Sequence, residues 1–507
     1  MRISKGHFFT FVFTISLALG NPLWAQTTIN VTTTNDELNG DANISLREAV
    51  QSANLGTGAY IINLQAGATY NLTISTLTIS RGGMNLTIDG NGAGGGPIAT
   101  LNGTAIGNGV SPMIRILDQG PSGNSLQITF NDLEITGADN SFLIGGAIAF
   151  SGSSNTTDSL TLNNCYIHDN LADIGAGMNT QGVETVNINS STFANNVAGD
   201  FGGAMGVSGA NLNLNNSTIS TNSADGGGGM YLSGTVLTAR SSTITNNSAN
   251  NGGGIEIFPA GASADMKNSI LSGNVATVGS SPNCYNPTAD VVPFVSNGFN
   301  VLGNMNNCTV SGPQTGDQSG VDNPMLGALA DNGGPTPTHA ELAGSPAIDN
   351  GDPTGCKDAS GAVLSFDQRG ASFPRAADGD NNGSVICDSG AYEAASTITD
   401  VENAIDDLSD YVATIPASDF KNSNMANTFM NKLDAALAQL GDIAAESDPD
   451  VKAGLINELK NKLINDILSK TNGCPTTADN NDWIRNCDDQ LSIQGMIQDI
   501  LDLLDQL

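Results

Sequence analysis

Between residues 160 and 277 the chain repeats one short pattern five times. In every copy an apolar residue is followed three positions later by Asn, and the apolar residues recur at spacings of 26, 26, 25 and 27. In four of the copies two closely spaced glycines come next. A fixed period of this length indicates stacked units, none of which buries its apolar face alone. The apolar positions are Ile167, Phe193, Ile219, Ile244 and Leu271, and the Asn positions are Asn170, Asn196, Asn222, Asn247 and Asn274.

Each unit contains short segments in which apolar and polar residues alternate, as in 160–162 and 186–188. Such short alternation is typical of strands rather than helices. Three strands and three turns fit into one unit, so each unit is predicted to form one coil of a right-handed parallel β-helix, with a rise of about 4.8 Å. Stacking then predicts an interior apolar column and a ladder of mutually bonded Asn side chains. The glycines are expected at a tight corner that requires positive φ or close backbone approach.

The linked motifs F/I-x-x-N and G-G-A/G-I/M resemble the repeats of the polymorphic outer-membrane proteins and of related bacterial extracellular β-helices. The resemblance covers about five coils and implies a mainly β, pectin-lyase-like solenoid. The repeated residues are accordingly expected to build the coil and not to carry out chemistry.

The charge of the chain limits its partners. Its formal net charge is −33, from 17 basic and 50 acidic residues. This balance argues against nucleic acid and against anionic membrane surfaces as partners. It suits divalent cations, or solubility in salty surroundings.

The first 25 residues are predicted to be a secretory signal. Arg2 and Lys5 precede an apolar run over 8–19, and cleavage is expected after Ala25. No later apolar run is long enough to span a bilayer. The sequence therefore predicts a secreted protein, or one on the outer cell surface, without a transmembrane segment after signal removal.

The seven cysteines of an exported chain indicate disulfides. Proximity in the sequence favours three pairs and leaves Cys165 alone. Because Cys165 occupies a repeat position held by Ser in the other copies, it is predicted to be a small packed side chain and not a reactive thiol. The favoured pairs are Cys284–Cys308, Cys356–Cys387 and Cys474–Cys487.

Residues 26–58 are predicted to cap the open end of the solenoid. Ser45 and Glu48 have the spacing of a helix capping box. The segment resembles the CSLREA domain that begins many secreted bacterial β-helices, although Ile44 replaces the Cys of that motif. The β-helix itself is expected over 59–310, with looser coils up to residue 150.

Residues 311–396 resemble the choice-of-anchor Q domain, which lies at the C-terminal side of exported bacterial β-helix proteins. The matching pieces, in order, are 326–340, 344–351, 367–370 and 387–393. Residues 397–507 are rich in Leu, Asp, Ala and Lys at helical spacing, and helices are predicted near 399–414, 423–441, 449–470 and 491–506. This α-helical module resembles the FIMAH-type domains appended to exported bacterial proteins.

One metal site is predicted from a motif. The stretch 378–383 fits the first half of an EF-type calcium loop, in which oxygens at alternate positions converge on a hard cation. The twelfth position is Ser389, so Asp388 or Glu393 would have to replace the usual Glu. Structural calcium and a solvated acidic turn both stay open. The predicted ligands are Asp378, Asp380, Asn382 and Asp388.

A catalytic site is not predicted. A lyase would need a basic residue beside a neutralised uronate, and a hydrolase would need two or three carboxylates held together. Within the repeats, His168, Arg240 and Lys267 do not share a column. The acids occupy scattered turn positions, namely Asp169, Asp173, Asp200 and Asp225. One arrangement stays open, in which Asp169 and Asp173 face a groove with His168.

We therefore expect a secreted or cell-surface β-helix that serves as an adhesion or structural module. Weak glycan binding through its lateral face would make an extracellular polysaccharide or a cell-surface component its partner. One alternative is a polysaccharide lyase or glycoside hydrolase with its site in coils 90–150. It would show a carboxylate cluster, or a Lys or Arg above a carboxylate, exposed on one face of neighbouring coils. A second alternative is a surface passenger whose helical tail, 398–507, is a docking module.

Overall fold

The computed structural model describes residues 26–56, 58–91, 97–106, 112–119, 124–153, 157–258, 261–286, 294–342, 344–375, 377, 379, 385–394, 398–446, 448–471 and 482–504. The predicted signal segment lies outside these residues.

Three long sheets of parallel strands run along the first part of the chain. Sheet A contains Thr27–Asn30, Gly58–Asn63, Met84–Asp89, Gln127–Asn131, Ser159–Asn163, Thr185–Asn189, Asn211–Asn215, Val236–Arg240, Ser263–Lys267, Phe294–Ser296 and Val310–Ser311. Sheet B contains Thr69–Asn71, Ala99–Asn102, Leu133–Thr136, Tyr166–His168, Thr192–Ala194, Thr218–Ser220, Thr243–Thr245, Ile270–Leu271, Val301–Leu302 and Gln318–Ser319. Sheet C contains Leu77–Ser80, Ile114–Leu117, Ile148–Ser151, Met178–Gln181, Met205–Ser208, Met230–Ser233, Ile255–Phe258 and Cys284–Tyr285.

A fourth, shorter sheet lies between sheets B and C. Sheet D contains Asp139–Ile144, Leu171–Ile174 and Val197–Phe201, and isolated bridges continue it to the parallel pair Ser248–Ala249 and Val275–Ala276. Each of these coils therefore passes through A, B, D and C in turn, where the sequence predicts three strands. The fold is a parallel β-helix.

The predicted interior columns are confirmed. The apolar residues of the repeat are paired strand to strand in sheet B and are fully buried. At the end of this sheet the buried Asn side chains bond in series, with each amide nitrogen 2.9 Å from the next amide oxygen. The positive φ angles fall at Gly175, Gly202, Gly227 and Gly252, at the corner between sheets D and C.

The N-terminal end of the β-helix is closed by a helix. Helix α1, Leu46–Leu55, begins with the predicted capping box between Ser45 and Glu48, and its buried side chains join the β-helix core. Arg47 forms an ion pair of 2.5 Å with Asp36 and also bonds the carbonyl of Ser75 at 2.7 Å. This network fastens the cap to the first coils.

Residues 324–394, as far as they are described, fold back along the outer face of sheet B; we call them the fold-back segment. It contains one antiparallel pair, Leu326–Ala330 and Thr338–Glu341. Beneath it the outward-facing side chains of sheet B are buried, among them Thr192, Thr218 and Ser220. A polar sheet face that would otherwise meet water is thus covered by a later part of the same chain.

Two of the three predicted disulfides are confirmed, Cys284–Cys308 and Cys356–Cys387. Cys487 is also disulfide-bonded, and its predicted partner Cys474 lies outside the described residues. Cys165 is free and fully buried. Burial raises the pKa of its thiol to about 12, so it is an inert packed side chain at neutral pH.

The C-terminal part is helical and has its own apolar core. A π-helical turn, Leu463–Ile467, and a 3-10 turn, Leu468–Lys470, interrupt the third predicted helix of this part. Val451, predicted to lie on the buried stripe of that helix, is 48% exposed. No helix of the described residues is both long and apolar enough to cross a membrane. The helices are α2 Ile398–Thr414, α3 Met425–Ala445, α4 Pro449–Lys462 and α5 Cys487–Leu504.

Candidate functional site

The predicted calcium ligands are described only in part. Asp378, Asp380 and Asn382 lie outside the described residues. Asp388 is fully buried, and its two carboxylate oxygens accept hydrogen bonds from the backbone N–H groups of Asp349 and Ala394, both at 2.6 Å. Among the described side chains no group of three or more His, Cys, Asp or Glu is placed to hold a metal ion. Calcium at this loop stays a prediction.

Asp388 belongs to a buried ionic network of the fold-back segment. Burial, followed by the charge of Glu393, holds the pKa of Asp388 well above its usual value. Arg375 lies 3.4 Å from Glu393 and reaches the side chain of Asn216 on the β-helix at 2.7 Å. Because this network bonds the segment to the coils, its role is structural.

The open question about His168 has a geometric answer. His168 lies on the outer face of sheet B, between two carboxylates: Nε2 is 2.8 Å from Glu134 and Nδ1 is 2.6 Å from Asp169. Glu134 comes from the preceding coil, and its second oxygen accepts a hydrogen bond of 2.5 Å from Thr100. Asp173 lies on sheet D and is not part of this group.

The hydrogen bonds of this group set its protonation. Burial lowers the pKa of His168, but its hydrogen bonds to Glu134 and Asp169 outweigh burial and raise it. Tyr166 stacks on the imidazole at a centroid distance of 3.9 Å, and burial raises the pKa of its hydroxyl to about 12. Both ring nitrogens of His168 and both oxygens of Glu134 are thus engaged in hydrogen bonds within the protein.

A different surface has the features of a binding site. Where sheet D meets sheet C, the ends of the D strands fold over the outer face of C: a Cβ added at Gly206 of sheet C would lie 3.0 Å from the Ile174 side chain of sheet D. In the following coils the ring of Phe201 packs on Tyr231 at 4.7 Å between centroids, and Tyr231 lies 6.0 Å from Phe258. Phe258 is 42% exposed. We call Phe201, Tyr231, Glu256 and Phe258 the aromatic corner.

Glu256 is the one ionisable member of the corner besides Tyr231, and its carboxyl group lies beside the ring of Phe201, above Gly226. It pairs with Tyr231 in the register of sheet C, and only 6% of its surface is exposed. Burial raises the pKa of Glu256 to about 7. The corner therefore combines an apolar aromatic wall with a single polar group, which is the usual composition of a ligand site.

The repeat pattern of the sequence does not predict this corner. Its residues occupy different positions of the repeat, because Phe201 ends a strand of sheet D whereas Tyr231, Glu256 and Phe258 lie on sheet C. A signal was present: in a chain with only 5% aromatic residues, Tyr231 and Phe258 follow the glycines of two successive copies at outward-facing strand positions.

Comparison of the chain with models of known protein families finds no match, and comparison with curated proteins finds none either. The fold and the geometry of the corner therefore carry the functional argument.

Proposed function

We propose that this protein is an exported β-helix that acts as an adhesion or structural module, and that its aromatic corner binds a glycan chain. The observation that supports the proposal is the row of rings formed by Phe201, Tyr231 and Phe258 along three successive coils. Exposed aromatic rings next to polar groups provide flat apolar surfaces on which the C–H faces of sugar rings stack.

The spacing of the rings suits an extended polymer. Neighbouring coils are about 4.8 Å apart, close to the length of one sugar ring, so successive coils offer successive contacts. Each contact is weak, and affinity would come from their number along the chain. A glycan also fits the strongly acidic composition, which disfavours nucleic acid.

Export supports an extracellular polysaccharide or cell-surface component as the partner. Disulfides form and persist in oxidising compartments, and the β-helix and the fold-back segment each contain one. The helical part, with its separate core, would then be free to make other contacts.

The test is retention of the purified full-length chain on neutral and acidic polysaccharides, with calcium or with EDTA, while chain cleavage is recorded in parallel. Tyr231→Ala and Phe258→Ala should each weaken retention about tenfold, because a ring contact worth about 1 kcal/mol or more is lost. Phe366→Ala is the matched control, since Phe366 is 43% exposed but belongs to the fold-back segment.

If both corner variants are retained as strongly as the unmodified chain, the aromatic corner is not the glycan-binding surface. Cleavage of a polysaccharide would replace the adhesion module with an enzyme.

A further inference from the structure

We propose that the aromatic corner recognises the ammonium group of an amino sugar, with the Glu256 carboxylate as its counter-charge. The inference rests on the proposed function, because it specifies which glycan the same surface takes. The ligand class would be a chain that contains unacetylated hexosamine, and uronate polymers would be excluded.

The first argument is the lack of an internal partner for Glu256. Buried carboxyl groups in folded proteins are nearly always hydrogen-bonded or paired with a cation. Glu256 is buried, yet desolvation is the only influence on its protonation, and none of the described residues forms a hydrogen bond or an ion pair with its side chain. A ligand that carries a positive charge would supply the missing partner.

The second argument is the shape of the site. A Cβ added at Gly226 would collide with Oε2 of Glu256 and would lie 2.9 Å from the ring of Phe201. The carboxyl group and the ring thus share the space above Gly226. Gly226 itself forms a parallel β-bridge with Phe201 of the preceding coil. A group bound to the carboxylate would also contact the ring of Phe201.

The third argument is the electrostatics of the rings. The faces of Phe and Tyr attract cations, and a carboxylate beside them adds a direct ion pair, so together they form a cage for ammonium groups. An uncharged sugar would gain the stacking contacts but not this interaction.

The fourth argument is the charge of the surroundings. The strands of the corner, Val197–Phe201, Met230–Ser233 and Ile255–Phe258, contain no Lys, Arg or His. Asp200 and Asp225 are exposed next to Gly226, whose N–H bonds the carbonyl of Asp200 at 2.9 Å. A uronate would be repelled here, and an amine would be attracted.

The experiment measures the affinity of the full-length chain for four probes by calorimetry at pH 7. The probes are a glucosamine oligomer, its fully N-acetylated counterpart, an oligogalacturonate and a lysine-containing peptide of similar charge. The variants are Glu256→Gln, which keeps the shape of the side chain, and Tyr231→Ala. Glu184→Gln is the charge-matched control, because Glu184 is exposed and lies outside the corner.

The glucosamine oligomer should bind more tightly than its acetylated counterpart, and the uronate should not bind. Glu256→Gln should weaken binding of the glucosamine oligomer about tenfold or more, as expected for a charge-assisted hydrogen bond. The same variant should change the affinity for the acetylated oligomer by no more than about twofold. Glu184→Gln should change the affinity for neither oligomer.

Equal affinity for the two oligomers, unaffected by Glu256→Gln, would overturn the ammonium assignment. The proposal of glycan binding would still stand if Tyr231→Ala weakened the binding of both oligomers. Failure of every glycan to bind would instead overturn the proposed function, and tighter binding of the lysine peptide than of the glucosamine oligomer would show that the occupant is a protein.

Discussion

Gln368 donates its side-chain amide to the hydroxyl of Thr192, 176 residues earlier in the chain, at 2.6 Å. Its amide oxygen accepts a hydrogen bond of 2.7 Å from Thr218 in the next coil, and its nitrogen also reaches Thr336 at 2.9 Å. One buried side chain thereby bonds the fold-back segment to two neighbouring strands of sheet B. Parallel coils that are connected only to their immediate neighbours gain a long-range contact in this way.

Gln368→Ala is expected to loosen the fold-back segment. It removes these hydrogen bonds and leaves the buried hydroxyl group of Thr218 without this acceptor, at a cost of about 2 kcal/mol. The hydroxyl group of Thr192 loses one donor but keeps its own bond to the Pro337 carbonyl. Limited proteolysis should cut within 345–394 faster than in the unmodified chain. Gln181→Ala, at an exposed position of sheet C, is the control. Cutting at the same rate in Gln368→Ala would show that apolar packing alone holds the segment.

The Asn ladder is expected to contribute much more to stability than the Asn pairs on the outside of sheet A. Asn222 is fully buried, donates to the next ladder residue, Asn247, and to the carbonyl of Phe193, and accepts from Asn196. Asn222→Ala should lower the free energy of unfolding by about 2–4 kcal/mol, because several buried polar groups lose their partners.

Asn213→Ala is the matched control for the ladder. Asn213 donates a similar bond of 2.9 Å, but at the partly exposed outer face, so its loss should cost less than about 1 kcal/mol. Urea midpoints of the two variants measure the difference. Equal midpoints would mean that the Asn ladder adds no more stability than the outer Asn pairs. The register of the coils would then be set by the apolar column alone.

The two histidines of the described chain should titrate on opposite sides of the usual value of about 6.5. The pKa of His168 is raised, as explained above. Burial lowers the pKa of His339, which donates Nδ1–H to the Gly327 carbonyl at 2.7 Å and accepts from Ser220 at 2.8 Å. The stabilisation from protonated His168 is complete below about pH 6.5 and is lost as the pH rises through its folded pKa.

Proton NMR of the ring signals measures both values. Glu134→Gln should lower the pKa of His168 by roughly one pH unit, since one neighbouring charge disappears, and should leave His339 unchanged. A measured pKa of His168 below about 6.5 would contradict its placement between two carboxylates.

The repeated part of the fold was predictable because its residues recur in phase. Ile167, Phe193 and Ile219 occupy the interior column that their spacing predicts. Once the coils stack, a buried Asn amide has few hydrogen-bond partners other than the Asn of the next coil. Ser45 and Glu48 form the predicted capping box because both bonds are local.

The remaining features depend on contacts that the period does not encode. The pairing of Gln368 with Thr192 joins two distant segments, and nothing in either one indicates the other. The strands of sheet D lack alternating apolar residues, and the exposed fraction of Val197 is 42%. The corner of Phe201 and Tyr231 arises only because sheet D folds over sheet C.

Glu256 lowers the stability of the fold near neutral pH, and this is why it indicates a role in binding. Its pKa of about 7 exceeds the ordinary value of 4.5, so the folded state holds a proton that the unfolded chain releases between these values. Stability therefore falls as the pH rises from about 4.5 to about 7. Glu256→Gln should leave the urea midpoint nearly unchanged at pH 4 and raise stability by on the order of 2 kcal/mol at pH 8. A lower midpoint at pH 8 would mean that an interaction within the protein stabilises the charged carboxylate. If the variant is instead more stable and binds the glucosamine oligomer more weakly, the fold gives up stability at this position for a group that serves a ligand.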